Sequence, residues 1–585
     1  MTASAMIGSA RRPVEYGLLV GVRRHWAALG VLLLFVLSAC VVPTLTPAPV
    51  SDDWVYIRSV EILVREGRFA IIDLSVVTLI FQVFWGALFA LPFGPSFGAL
   101  RVSSLALTLL GGVACYGLGR ELRLGRAASA LAMAAFLFHP LAFVLSFSFM
   151  TDPQFVALLL IATYGYVRGL RPGPLGARAL LLGSVAASLA FLIRQQGALI
   201  PLAVVVYLAL CRRPRSLREA FAALVRVVAL PALTAILYFL WLKYINGIPF
   251  RQGDFVQSVR DAGWSGTRDL VWQLLVIAAL YLGFFALPLA LAALPRLPRL
   301  VDVGAPRGWV LFCVWVALVM AGVGAFAAQG RLMPYVPQFV NLYGLGPNDL
   351  QGARPALLGG AFAWGFTIAC AVGTLLLGLA LSRRFALRGA TPDRARAGLL
   401  LSIGLWQALG ILPASYSFRT WDGSLDRYLL PLLPFGILLG FWALRGLRPL
   451  LPLGWVVVVA FALFAIIGTR DFLVFQQATW DLAARANALG IPNTRLDAGT
   501  SWDGYHLYEY SQANRIAPRT PDGPWWPGRP WWTGLFAPAT DSSYVVASDP
   551  LPDFAIVEEV TYSSWLQRRA LPLYLLRRPD VDGPP

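Results

Sequence analysis

Long apolar runs dominate the pattern of this 585-residue chain. Many are about 20 residues long, which is the length that a helix needs to cross the hydrocarbon core of a bilayer. Short arginine-rich segments separate the runs, and such segments mark the cytoplasmic side of a membrane protein. These basic clusters lie at residues 11–24, 120–126, 168–178, 212–218, 296–307, 383–396 and 445–448. If all of them share one side, an even number of spans must join each neighbouring pair.

This charge rule decides two ambiguous apolar runs. Val76–Phe93 is apolar enough to span, but a span here would place the cluster at 120–126 outside. We therefore predict an interfacial or re-entrant segment within a first outer loop, residues 43–96. Ala179–Cys211 lies between two basic clusters and must hold two short spans that meet at Arg194. Arg194 is thus expected at the outer membrane surface.

The pattern predicts an α-helical polytopic membrane domain, residues 1–470, with a cytoplasmic N-terminus and about thirteen spans. The predicted spans are residues 26–42, 97–119, 127–149, 153–170, 179–193, 198–211, 220–242, 271–292, 309–329, 357–381, 398–413, 428–444 and 453–470. An odd number of spans places residues 471–585 outside. There, a helix-like stretch at Phe472–Leu489 precedes strand-like pieces that begin at Ser543 and Phe554. We expect a small mixed α/β extracytoplasmic domain.

Composition agrees with a membrane protein and changes how the charge is interpreted. Charged residues make up 13% of the chain, about half of the roughly 25% that a soluble domain carries. The net charge of +18 would suggest a nucleic-acid partner in a soluble protein. Here the arginines lie between spans, where they set topology and contact anionic headgroups. We therefore expect membrane lipids as partners, no nucleic acid, and a multi-pass location in the inner (plasma) membrane.

Acidic residues are scarce before residue 470, so those beside a span are informative. Asp52 and Asp53 open the first outer loop, and Asp152 precedes Pro153 at the start of a later span. A structural interpretation exists for both places: Ser51 could cap a helix with acids in its first turn, and Thr-Asp before proline is a common helix start. The span count nevertheless places all three carboxylates on the outer face. Such a group can accept a proton from a hydroxyl or hold a divalent cation.

Basic candidates lie on the same face. Arg194 is at the tip of the short hairpin, and Arg427 and Tyr428 begin a late span. The planar guanidinium of arginine suits a phosphate or pyrophosphate. Each arginine could equally anchor the chain to lipid headgroups, and the sequence leaves both interpretations open.

Other features of the sequence give weaker signals. His139 lies beside a proline in an apolar run, which predicts a hydrogen-bonded core histidine. Trp502-Asp503-Gly504 predicts a turn in the outer domain. The chain contains neither G-x-x-x-x-G-K-[ST] nor H-E-x-x-H, so the sequence supports neither an ATP-driven step nor a zinc protease.

The order of the motifs resembles a known family. Asp52-Asp53-x-x-Tyr56 is followed by Phe93-Gly-x-Ser-Phe-Gly-Ala-Leu-Arg101, by Thr151-Asp152-Pro153, and much later by Arg427-Tyr428-Leu-Leu-Pro431. This order is similar to that of the GT-C glycosyltransferases of the protein-O-mannosyltransferase type, including the bacterial aminoarabinose transferase of lipid A. The resemblance covers residues 26–200 well and residues 415–470 loosely.

The resemblance implies an activity. It implies a polyprenyl-phosphate-linked sugar donor and inverting transfer to an acceptor hydroxyl of an envelope glycan, lipid or protein on the outer face. By position, Asp52 would be the catalytic base and Asp152 its partner at the acceptor pocket. Asp53, where the family usually has Glu, and Tyr56 would support them. The sequence requires no cofactor. Whether Asp52 and Asp152 hold a divalent cation stays open.

The resemblance also implies a donor-phosphate site. Arg194 stands where the aminoarabinose transferase type has a lysine, and it would contact the phosphate together with Arg427 and Tyr428. The main alternative is a transporter or flippase of lipid-linked sugars, which would show charges deep within helices and inverted repeats. Neither feature is clear in the sequence. A non-catalytic scaffold that binds cell-wall polymer would leave the acidic residues beside spans one and four unexplained.

Overall fold

The computed structural model describes residues 24–171, 173–211, 216–302, 306–386, 391–415, 424–517 and 530–581. Most of the basic cluster at 11–24, and parts of several others, lie outside these residues. Helices form the greater part of what is described, and a small sheet follows near the C-terminus. The predicted class, an α-helical polytopic membrane protein with a small mixed α/β C-terminal region, is confirmed.

The helices follow the apolar runs closely. In chain order they are α1 Arg24–Val41, α2 Asp53–Glu66, α3 Ile80–Ala90, α4 Phe97–Glu121, α5 Arg126–Leu137, α6 Pro140–Ser146, α7 Thr151–Gly169, α8 Pro174–Phe191, α9 Leu199–Leu210, α10 Leu217–Trp241, α11 Phe250–Phe285, α12 Leu287–Ala293, α13 Leu297–Val301, α14 Pro306–Ala328, α15 Gly360–Ala386, α16 Pro392–Ser415, α17 Leu433–Leu444, α18 Leu451–Ala488, α19 Gly499–Ala513 and α20 Trp531–Phe536.

The count of thirteen spans is not confirmed. Among the described residues, 10 helices are long and apolar enough to cross a membrane, or 11 if the bent pair α5 and α6 is one span. That pair bends by 62° and covers the predicted span 127–149. The predicted spans 153–170 and 198–211 correspond to α7 and α9, which are not among the helices that are long and apolar enough.

Helix α3 lies in the apolar run that was predicted not to span. Its 11 residues extend about 16 Å, roughly half of the 30 Å hydrocarbon core. Its first turn is tied to the α8–α9 hairpin, because the amides of Leu79 and Phe81 donate to the carbonyls of Ile193 and Leu192. The length of α3 agrees with an interfacial or re-entrant segment.

Small residues let the central helices approach closely. A Cβ on Gly111 of α4 would lie 2.8 Å from the Cα of Ala157 on α7, so a larger residue would push the two helices apart. Close contact at small residues is a usual source of stability between transmembrane helices. Helix α7 packs against both α4 and α8.

His139, between α5 and α6, differs from the prediction. It is fully buried, as expected of a core residue. Neither ring nitrogen has a hydrogen-bond partner, so the predicted hydrogen bond is wrong. The ring instead packs edge-to-face with the rings of Phe284, Phe285 and Phe461, at centroid distances of 4.3, 5.1 and 5.3 Å.

Helix α18 joins the apolar helices to the region of the C-terminal sheet. It has 38 residues and continues unbroken through residue 470, the boundary that the sequence predicts. The division of the chain at that residue stays a prediction. Trp502-Asp503-Gly504 does not form the predicted turn but lies within α19, and the Asp503 carboxylate accepts the Ala498 amide at 2.9 Å.

The C-terminal sheet has four strands. They are β3 Leu496–Asp497, β4 Tyr544–Ala547, β5 Ala555–Ser564 and β6 Arg569–Arg577, after a two-residue pair, β1 Val340–Asn341 and β2 Gly344–Leu345, in the loop before α15. The order across the sheet is β3-β4-β6-β5. The β3–β4 pair is parallel and the other two pairs are antiparallel. The strand-like pieces predicted near Ser543 and Phe554 become β4 and β5.

Candidate functional site

Asp52 ends the loop between α1 and α2 and forms an ion pair. Arg427 Nη1 lies 3.0 Å from Asp52 Oδ2, with the arginine buried and about a third of the aspartate side chain (31%) exposed. The alternative in which Ser51 caps α2 is not found. Asp52 is the residue before the helix and makes no side-chain capping bond, and Ser51 adopts a φ of 50°. The carboxylate is therefore directed to Arg427.

Asp152 forms a second, more deeply buried pair. Arg194 Nη1 lies 2.8 Å from Asp152 Oδ1, and Arg194 Nε donates to Thr151 Oγ1 at 2.9 Å. Asp152 lies in the first turn of α7 without capping it. The turn that carries Arg194 depends on Gly197, because a Cβ there would lie 2.2 Å from the Phe191 nitrogen. The tight hairpin thus places the guanidinium beside α7.

Tyr428 lies close to both arginines. The Cζ atoms of Arg194 and Arg427 are 5.7 and 5.3 Å from the centre of its ring. Arg427 also donates to the sulfur of Met150, just before α7, at 3.8 Å. The two guanidinium groups thus both lie within 6 Å of one aromatic ring, close enough together to contact one phosphate group.

Tyr56, one helical turn beyond Asp52, is buried in the same region. Burial raises the pKa of its hydroxyl above the ordinary value of 10.0, and the charge of Asp52 is the next largest cause. Three further groups are close enough to affect it: Arg427, Arg194 and Asp152. The structure therefore brings together these sequence-predicted residues, although about 375 positions separate the first from the last.

Asp53 bonds to the backbone of its own loop. Its carboxylate is fully buried and accepts the Val50 amide at 3.3 Å. Burial raises its pKa to about 7, and the charge of Arg101 opposes that rise. Arg101 in turn donates to the carbonyls of Thr44 and Thr46 at 3.2 and 2.7 Å. Asp53 and Arg101 thus shape the loop that presents Asp52.

Asp349, in the loop between α14 and α15, was missed by the sequence reasoning. Burial raises the pKa of its carboxyl to about 7, and the charges of Asp52 and Arg427 both affect it. Its backbone carbonyl accepts the Thr500 amide at 3.1 Å. The signal was available, since an acidic residue in a predicted outer loop meets the same criterion that singled out Asp152.

The two proposed cation ligands do not form a metal site in this arrangement. Each of the carboxylates of Asp52 and Asp152 faces a guanidinium at 3.0 Å or less, and a cation would have to displace that arginine. No group of three or more His, Cys, Asp or Glu side chains is placed to hold a metal ion within the described part of the chain. The geometry fits an anion between two arginines better than a cation between two acids.

One protein-family model matches part of this chain and indicates the class of protein. Residues 80–239 match the family model described as dolichyl-phosphate-mannose-protein mannosyltransferase. This match confirms, over that stretch, the resemblance to the protein-O-mannosyltransferase type that the motifs predicted. The matched stretch includes Arg101, Asp152 and Arg194 and ends before the loop that holds Asp349.

Solved structures show weaker similarity. ArnT from Cupriavidus metallidurans bound to undecaprenyl phosphate is 14% identical, with coverage of 95% of this chain and 99% of that chain and a TM-score of 0.39. The oligosaccharyltransferase AglB from Archaeoglobus fulgidus, in complex with an inhibitory peptide and a dolichol-phosphate, is 15% identical, with coverage of 89% and 64% and a TM-score of 0.37. Both TM-scores lie below 0.5, so the similarity to either structure is weak. No curated protein matches this sequence significantly.

Proposed function

We propose that this protein is a membrane glycosyltransferase that moves a sugar from a polyprenyl-phosphate donor to an acceptor hydroxyl on the outer face of the inner membrane. The observation that carries the proposal is the pair of buried arginines, each matched to an aspartate, that both lie close to the ring of Tyr428. Two guanidinium groups suit the charge of a phosphodiester, and the carboxylates suit the handling of a proton.

Donor binding would rearrange one of the ion pairs. Arg427 can contact a donor phosphate only by sharing or leaving its contact with Asp52, whose side chain is partly exposed. Arg194 is held more firmly by Asp152 and Thr151, so it serves as the fixed part of the phosphate site. Phosphate binding at Arg427 would then leave the Asp52 carboxylate free to accept a proton.

The proposed reaction is a single displacement. The acceptor hydroxyl gives its proton to Asp52 while its oxygen forms a bond to C1 of the sugar. The bond between C1 and the phosphate oxygen breaks, and the polyprenyl phosphate leaves with the electron pair, stabilised by the two arginines. Attack opposite the leaving group inverts the configuration at C1. Asp152 acts by holding Arg194 and by lining the acceptor side.

The transporter or flippase alternative has less support. The family match is to a mannosyltransferase, and carboxylates beside the arginine pair suit proton transfer from an acceptor hydroxyl. The sugar, the acceptor and the orientation of the termini are parts of the proposal.

Mass spectrometry of envelope glycans and lipid-linked sugars tests the proposal in cells with and without the protein. Loss of one glycan modification, with accumulation of its polyprenyl-phosphate sugar, is the expected result. Asp52→Asn should reproduce the deletion, whereas Asp553→Asn, at an exposed site of the C-terminal domain, should not. An unchanged glycan profile, or accumulation confined to the inner leaflet, would contradict the proposed transfer.

A further inference from the structure

The turn between β5 and β6 with its flanking residues, 563–570, packs against helix α18, and we call it the hairpin tip. The buried Asp471 carboxylate accepts the amides of Trp565 and Leu566 at 2.9 and 2.8 Å and the Ser564 hydroxyl at 2.7 Å. These bonds are charge-assisted, so they are stronger than neutral hydrogen bonds of the same geometry. The hairpin tip is therefore held at one position along α18.

That position lies at one end of the apolar part of α18. Residues 451–469 of this helix contain no charged side chain, and Arg470 is the first charged residue that follows. These 19 residues extend about 28 Å, which matches a hydrocarbon core of about 30 Å. Arg470 donates to the Ser563 carbonyl at 2.7 Å. We therefore expect the hairpin tip at the level where α18 passes from the hydrocarbon core into the headgroups.

A second apolar helix begins beside the hairpin tip. Gln567 Nε2 donates to the Pro355 carbonyl at 3.0 Å, and Pro355 lies five residues before the start of α15 at Gly360. No charged residue occurs in α15 before Arg383, and Trp364, close to its start, is half exposed. An exposed tryptophan near the end of an apolar helix is typical of the membrane interface. Two helices therefore indicate the same level for the hairpin tip.

The exposed side chains of the hairpin tip suit a layer of phosphate headgroups. Trp565 is half exposed, and Arg470 Cζ lies 4.5 Å from the centre of its ring. Arg568 and Arg569 are exposed, and in the part of the chain that the structure describes no salt bridge joins either one to an acid. Residues 563–570 contain neither Asp nor Glu. The tip thus presents an aromatic ring beside two uncompensated positive charges, a combination that is typical of surfaces in contact with anionic headgroups.

We propose that the hairpin tip binds the bilayer surface, with Arg568 and Arg569 on the phosphates of anionic phospholipids, and thereby holds the C-terminal sheet against the membrane. An arginine near an anionic surface strengthens binding by about fivefold. The attraction decays within a Debye length of about 10 Å, so only arginines at the membrane level contribute. This binding is independent of the proposed sugar transfer, because it involves none of the residues at the candidate site.

Hydrogen exchange of the full-length protein in nanodiscs tests the proposal by comparing phosphatidylcholine alone with a mixture of phosphatidylcholine and phosphatidylglycerol. In the wild type, amides of the hairpin tip should exchange about fivefold more slowly in the anionic mixture. A double variant, Arg568→Gln with Arg569→Gln, should match the wild type in phosphatidylcholine, which shows that the hairpin is intact, and should lose the difference between the two lipids. Arg577→Gln is the matched control and should keep that difference, because Arg577 ends the same strand about 26 Å from Arg569.

Salt and free phosphate separate a lipid surface from other sources of negative charge. High salt should remove most of the lipid-dependent difference in exchange, because exposed charges are screened. Equal exchange of the wild-type hairpin tip in the two lipids would overturn the proposal, as would a difference that persists in the double variant. If millimolar inorganic phosphate in phosphatidylcholine nanodiscs slows exchange as much as phosphatidylglycerol does, the tip binds soluble phosphate and the proposed membrane contact is wrong.

Discussion

Asp52→Asn is expected to strengthen phosphate binding while it abolishes transfer. In the structure, Asp52 occupies Arg427 at 3.0 Å, the same guanidinium that the proposed donor phosphate uses. Asparagine keeps the shape of the side chain but removes the charge that competes for Arg427. The variant should therefore bind undecaprenyl phosphate more tightly than the wild type, although a lost catalytic residue is usually expected to leave substrate binding unchanged or weaker.

The size of the effect follows from the exposure of the pair. Asp52 is about one-third exposed, so the ion pair belongs near the upper end of the 0.2–1 kcal/mol range of solvent-accessible pairs. A gain of about 1 kcal/mol corresponds to roughly a fivefold lower Kd. The gain should shrink at high salt, because part of the interaction is screened.

The measurement is a titration of purified protein in detergent with undecaprenyl phosphate, followed by intrinsic tryptophan fluorescence at pH 7.5. Asp73→Asn is the control, since Asp73 is an exposed carboxylate between α2 and α3 and should leave the Kd unchanged. Equal or weaker binding by Asp52→Asn, with an unaltered melting temperature, would refute the competition between Asp52 and phosphate for Arg427.

Further expectations concern the second ion pair, Asp349 and the domain contact. Arg194→Gln should destabilise the protein by about 3–5 kcal/mol in a denaturation assay, because it leaves Asp152 buried without its partner. A double variant with both Arg194→Gln and Asp152→Asn should be more stable than Arg194→Gln alone, and equal stability would contradict this reason. Asp349 has a pKa raised to about 7, so its contribution to stability is full below its ordinary pKa near 4 and is lost as the pH rises through 7. Asp349→Asn should therefore make the melting temperature less dependent on pH over that range. A pH dependence of the melting temperature equal to that of the wild type would count against the raised pKa. Trp54→Ala should lower the free energy of unfolding by about 3–5 kcal/mol and expose α19 to proteolysis, because the Trp54 ring contacts Tyr508 and Phe536. Resistance to proteolysis equal to that of the wild type would show that other contacts hold α19 in place.

Much of the membrane domain follows from hydropathy and charge, because each apolar run must satisfy its backbone hydrogen bonds within a helix. The run Val76–Phe93 shows how arginine clusters add information that hydropathy lacks. The same reasoning brought Asp52, Asp152, Arg194 and Arg427 to one face, and the structure places them together. Their chemical roles stay predictions.

Other features depend on tertiary contacts that local patterns do not carry. Asp349 is informative because of what surrounds it, and its neighbours come from distant parts of the chain. Trp502-Asp503-Gly504 has the composition of a turn, but packing against Trp54 and the bond to Ala498 favour a helix there. His139 has no partner because aromatic side chains from α11 and α18 surround it.

Helix α18 has a mechanical consequence. Its 38 residues measure about 57 Å, nearly twice the hydrocarbon core of about 30 Å, so an upright helix of this length cannot lie wholly within the core. A flexible tether would let the C-terminal sheet move independently, whereas one continuous helix joins the sheet to the apolar helices. A force applied to the sheet would therefore be transmitted to those helices rather than absorbed by a hinge.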